Sequence, residues 1–163
     1  MQSYRDIHEI IALKTIEKKI KTVRDRVKRL EQISGKLASL KEYQTSPDIK
    51  DIAERNLQVA IEACLDIAKI IISISDLPEP KDNKGVFTVL AEAEILSKKN
   101  LEFLLPMAGT RNVLVHGYDK VEDRIVYDVI KRHLDDFAAY LKEVKNNFLE
   151  PSKPADKGNT PKK

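Results

Sequence analysis

Eight consecutive residues hold most of the chemistry in this 163-residue chain: Arg111-Asn112-Val113-Leu114-Val115-His116-Gly117-Tyr118. Arginine offers a planar, permanently charged fork that suits a phosphate, and asparagine adds a neutral donor and acceptor. Histidine exchanges a proton near neutral pH, and three aliphatic residues between these groups anchor the segment in a core. With no cysteine cluster, no carboxylate pair and no HExxH spacing alongside, an Arg and a His together point to phosphate chemistry that needs neither metal nor cofactor. On RNA such chemistry is short. A base takes the proton of a 2′-OH, the oxygen attacks the adjacent phosphorus, and a cation stabilises the charge that builds on the non-bridging oxygens.

A helix turns about 100° per residue, so Asn112 and His116 share a face whereas Arg111 and His116 do not. If Gly117 takes the left-handed conformation that ends a helix, His116 lies in the last turn, where the negative end of the helix dipole favours its protonated form, and Tyr118 follows just beyond. One histidine serves as base or acid, not easily both, and an Arg and a His on two faces of one helix make half a site. Two copies across a two-fold axis would supply two of each, so a homodimer is expected. An Arg-x4-His spacing taken alone is equally what a buried hydrogen-bonding pair or a helix-end cap would show. His8 carries less chemical suggestion, and His133, beside Lys131 and Arg132, reads as a surface residue.

The elements that position this segment are all helical. Tryptophan is absent, there are only five glycines, and Leu, Ile, Ala, Glu and Lys predominate, a composition suited to a helical domain. The single Cys64 excludes an internal disulfide and a cysteine metal site, which fits a reducing cytoplasm. Residues 1–9 are polar and charged, unlike a signal peptide, and the longest apolar run, 70–74, is interrupted by Ser73, so no membrane span is expected.

Periodicity divides the chain into about five helices in an up-and-down bundle. The first is predicted over 7–40, with Ile16, Ile20, Val23, Val27 and Leu30 on one face and a bend near Ser34-Gly35. The second, over 47–75, begins with Ser46 as N-cap and Pro47 in the first turn, and its apolar stripe is wide enough for two neighbours. Cys64 falls inside that stripe as a small buried hydrophobe, while Arg55, Glu62 and Asp66 read as an exposed charge ladder. A loop at 76–85 precedes a short helix over 86–96. Helices over 100–115, kinked or broken at Pro106 and near Gly109, and over 122–148 complete the domain, 1–149. The polar stretch 150–163 is expected to be disordered. That tail holds four Lys against Glu150 and Asp156, so two of the chain's three net positive charges lie outside the domain. Within it, basic charge is concentrated between Lys14 and Arg29. The face presented by Lys18, Lys21, Arg24 and Lys28 is either an ordinary solvated surface or a guide for RNA phosphates.

The run Arg111 to Tyr118 matches the Arg-x4-His-x-Tyr motif of HEPN-domain proteins, and the chain resembles the HepT toxins of the HepT/MntA toxin–antitoxin systems. The segment from Glu54 to Ala68 is similar to that family's long second helix, and Val126-Tyr127 with Leu134-Asp135-Asp136-Phe137 to its last. The likeness spans about residues 16–141. It implies an all-α, homodimeric, metal-independent endoribonuclease of a type VII system, acting in the cytoplasm with a composite site at the dimer interface. Arg111 and His116 correspond to the catalytic pair, and Asn112 to the polar position beside the arginine. The implied partner is an MntA-like nucleotidyltransferase antitoxin that silences the toxin by transferring AMP to Tyr118. Many members carry a charged or polar residue where this chain has Gly117. The alternative within the same family is a non-catalytic HEPN module that binds nucleotide or a nucleotidyltransferase.

Overall fold

The computed structural model describes residues 2–116 and 122–151, with the side chains of 2–5 and of 116 excepted. The positions assigned to Gly117 and Tyr118, and nearly all of the tail, lie outside the described residues. Those residues form an all-α fold of seven α-helices: α1 Gln2–Lys36, α2 Leu40–Gln44, α3 Pro47–Ile74, α4 Asn83–Glu92, α5 Lys98–His116, α6 Asp123–Arg132 and α7 Leu134–Val144, closed by a π-helical turn Lys145–Leu149. Among them, no helix is long and apolar enough to cross a membrane.

The two long helices α1 and α3 run antiparallel, since Lys19 pairs with Asp66 and Arg26 bonds Asn56. Ile16, Ile20, Val23 and Leu30 bury the predicted face of α1. Ile7 stands nine residues, two and a half turns, before Ile16 and so points the opposite way. With Ile10 and Ile11 it stays more than half exposed, a second apolar ridge facing away from the core. On α3 the wide stripe is buried from Ala53 to Ile72 and packs against α1, α4 and α5. Cys64 is buried there as expected, and burial pushes its thiol pKa up, so it is held as the inert thiol. Above it, Tyr140 Oη donates to the Cys64 carbonyl at 2.8 Å, and the Tyr140 ring meets Phe87 edge to face.

Five expected helices become seven for identifiable reasons. The first does not continue to residue 40. Lys131 Nζ donates to the carbonyls of Ser34 and Leu37, each at 2.6 Å, capping the end of α1. Ser39 then accepts from the Glu42 N–H and starts the short α2. Ser46 sits at the N-cap of α3 with Pro47 after it, but its hydroxyl donates back to the Glu42 carbonyl instead of capping α3. At α4 the Asp82 carboxylate accepts from the Gly85 N–H at 2.8 Å, starting that helix three residues earlier than expected, and it ends at Glu92.

Pro106 neither breaks nor ends α5, which runs unbroken through it and through Gly109. The carbonyl that loses its helical partner belongs to Glu102, and both Glu102 and Pro106 are exposed, so water can take the missing donor's place. The expected helix over 122–148 divides at His133. Its ring is gripped by Asp136 at Nδ1 (2.9 Å) and Asp128 at Nε2 (3.2 Å) and stacks on Phe103. His133 is therefore a joint between α6 and α7 and not a bystander on the surface. Ile125 of α6 is 44% exposed, off the buried face formed by Val126, Val129 and Ile130.

Replacing Tyr140 with Phe keeps the shape and deletes the buried hydrogen bond to the Cys64 carbonyl. Urea unfolding of Tyr140→Phe should show a loss of about 1 kcal/mol. An unchanged midpoint would mean that this bond does not tie α7 to α3.

Candidate functional site

Helix α5 presents Arg111 to α3. Its Nη2 lies 3.1 Å from Glu62 Oε2, and both side chains are roughly two-thirds or more buried, at 26% and 33% relative exposure. Nη1 donates to the Asn112 side-chain oxygen at 3.3 Å. Nε is shielded from solvent and has no hydrogen-bond partner among the described residues. The guanidinium is thus fixed on one edge by a carboxylate. A doubly occupied fork of this kind keeps its plane, while N–H groups beyond these two contacts remain to meet an anion.

Glu62 belongs to a stripe. Glu62, Leu65, Asp66 and Lys69 follow at i, i+3, i+4 and i+7 along α3, which places them on one face. That face, Asn83 at the start of α4 and Arg111 enclose a polar pocket of ≈ 290 Å³. Asp66 Oδ2 is held by Lys19 of α1 at 3.0 Å, so four helices, α1, α3, α4 and α5, contribute to this corner. The expectation of an exposed charge ladder is corrected here. Glu62 and Asp66 are each bound to a cation from another helix because α5 and α1 cross beside them, which single-helix spacing does not reveal.

Of the residues singled out from the sequence, Arg111 and Asn112 are adjacent and hydrogen-bonded, and His116 is the last residue of α5. Lys18, Lys21, Arg24 and Lys28 are all exposed on α1, and Lys21 is bridged to Asp25 at 2.8 Å. None of the four lines the Arg111 pocket. The basic residue that reaches its edge is Lys19, on the flank of α1 that faces α3. Sequence reasoning passed over Glu62, Lys19 and Lys69. A signal existed in the repeated carboxylate at positions 62 and 66 beside the apolar stripe of α3, since an arginine set among aliphatics on α5 needs a counter-charge.

A larger cavity lies elsewhere among the described residues. A groove of ≈ 850 Å³ between α5 and α6, walled by Phe103, Pro106, Met107, Ile125 and Val129, contains neither Arg111 nor Asn112. The groove also carries Arg124, Arg132 and the His133 held by Asp128 and Asp136, but none of the motif's described residues, and the motif's arginine marks the pocket on α3 as the candidate site.

With this geometry in place, likeness to known proteins can be weighed. The family model described as Ribonuclease HepT-like matches residues 23–144. The mRNA nuclease HepT of Shewanella oneidensis is 33% identical over 127 residues, covering 78% of this chain and 93% of that protein. The tRNA nuclease HepT of Aphanizomenon flos-aquae is 30% identical over 125 residues, covering 77% of this chain and 81% of that one. A solved tri-AMPylated Shewanella oneidensis HEPN toxin, in complex with an MNT antitoxin, superposes with a TM-score of 0.74 at 31% identity and covers 80% of this chain and 96% of its own. The chain belongs to the ribonuclease HepT-like family of HEPN-domain proteins.

Proposed function

We propose that this chain is a metal-independent RNA endonuclease, the toxin of a type VII HepT/MntA-like toxin–antitoxin pair acting in the cytoplasm. The observation that carries the reading is Arg111, the motif's arginine, held by Glu62 at the edge of a polar pocket in a HepT-like scaffold. Relatives named as an mRNA nuclease and a tRNA nuclease support RNA as the substrate class.

In this reading His116 removes the proton of the 2′-OH, and the oxygen attacks phosphorus. The 5′-oxygen leaves with a proton from a second acid, and a cyclic 2′,3′-phosphate remains. Arg111 stabilises the charge that develops on the non-bridging oxygens, and Asn112 orients the arginine it touches. The second acid is the His116 of another copy. The active unit is a homodimer whose cleft is composed from both chains.

The partner is an MntA-like nucleotidyltransferase, supported by the solved relative bound to an MNT antitoxin and bearing three AMP groups. AMP transferred to Tyr118, two residues after His116, would add negative charge to the motif and oppose binding of the RNA backbone. Lys18, Lys21, Arg24 and Lys28 guide RNA towards the cleft through long-range attraction rather than contact at the pocket.

Cleavage of a defined RNA in EDTA tests the core of this account. The wild type should cut and leave a cyclic phosphate, and His116→Ala should be slower by about 100-fold or more. Equal activity in His116→Ala, or loss of activity on chelation, contradicts it. Tight nucleotide binding with no scission by the wild type would favour the non-catalytic module. For the basic face, glutamine at all four positions should flatten the plot of log affinity against log salt by about 0.7 per lost phosphate contact. An unchanged slope returns that face to a solvated surface.

A further inference from the structure

The pocket beside Arg111 contains groups that phosphate binding does not explain. Carboxylates at the edge of a site for a polyanion repel the substrate unless they are neutralised or meet donors on it. Both are neutralised here, Glu62 by Arg111 at 3.1 Å and Asp66 by Lys19 at 3.0 Å. The bridge to Lys19 uses Asp66 Oδ2 alone, and a carboxylate has about four acceptor sites, so one ammonium does not saturate it. Lys69 and Asn83 add donors across the pocket, and the surface it exposes is mainly polar. The enclosed ≈ 290 Å³ holds one base rather than a base pair.

We propose that this pocket reads guanine on the nucleotide whose 3′-phosphate Arg111 holds. Guanine is the base that presents two adjacent donors, N1–H and N2–H₂, to a single carboxylate, with acceptors at O6 and N7 nearby. Asp66 accepts the two donors, and Lys69 and Asn83 donate to O6 and N7. Adenine would set its N1 lone pair against the carboxylate, and uracil would offer one donor between two carbonyl oxygens. A pocket for a single base also selects an unpaired nucleotide, as reading of RNA sequence generally requires. The inference rests on the ribonuclease reading for its biological sense, but binding to the pocket can be measured without cleavage.

Calorimetric titration of the full-length chain with the 3′-monophosphates of guanosine, adenosine, cytidine and uridine provides the test. The wild type should bind guanosine 3′-monophosphate at least about tenfold more tightly than the others. Asp66→Asn and Lys69→Ala change side chains at the protein surface, and thermal melting checks that both fold. Each should bring guanosine 3′-monophosphate to within about threefold of the adenosine analogue. Equal binding of all four by the wild type, or a guanine preference that survives both substitutions, overturns the proposal. Guanine preference lost in Asp66→Asn, in a protein that cuts no RNA, upholds the pocket and removes the nuclease. Efficient RNA cutting with no preference for the base 5′ to the break does the reverse.

Discussion

The contact between Arg111 and Glu62 is the constraint on which the candidate site depends. Both side chains retain some exposure, and pairs of that kind contribute about 1 kcal/mol or less to stability. A fold whose core includes Phe87, Phe137, Tyr140 and the buried stripe of α3 does not need that increment. The value of the contact is positional. It fixes the guanidinium of α5 against α3, with Nε shielded and about a quarter of the side chain left exposed. An unsupported arginine at that place would have many rotamers, and ordering it on substrate would cost side-chain entropy at the moment of binding. A carboxylate partner removes most of that cost beforehand.

The same contact shows where sequence reasoning reaches and where it stops. Helix α3 was legible almost to the residue, because a proline at its first position and a sustained apolar period mark both its start and its buried face. Arg111 was legible as chemistry because residue type and spacing declare it. Glu62 was not, since a carboxylate on the polar side of a helix has the same local pattern whether it faces water or an arginine from another helix. The extra helices failed to show for a related reason. Lys131 caps α1 from 94 residues away, and the joint at His133 is held partly by Phe103 from another helix. Long-range partners decide such boundaries, whereas Pro106 shows the converse: a strong local signal for a break is overridden where water can satisfy the freed carbonyl.

Relatives account for the domain but not for all of the chain. The family model begins at residue 23, partway along α1, and the Shewanella nuclease is covered over 93% of its own length by 78% of this chain. The first turns of α1, with Ile7, Ile10 and Ile11 turned away from the core, lie before that match. The functional corner made by α3, α4 and α5 falls wholly inside it. Lys19, which bridges to Asp66, stands just before the matched region and joins the two parts.

Helix geometry sets positions 111 and 116 about 140° apart around α5, so the two roles proposed for them, phosphate binding and proton transfer, do not share a face of one chain. In the proposed enzyme a second copy closes that gap. The direct measurement is to refold wild-type and His116→Ala chains together, confirm mixed dimers by native mass spectrometry, and assay RNA cleavage. A mixed dimer holds one intact histidine, so base and second acid are not both supplied. Activity about tenfold or more below that of the wild-type dimer is the predicted result. Mixed dimers with half of the wild-type activity, as two independent chains would give, would contradict a site composed from two copies.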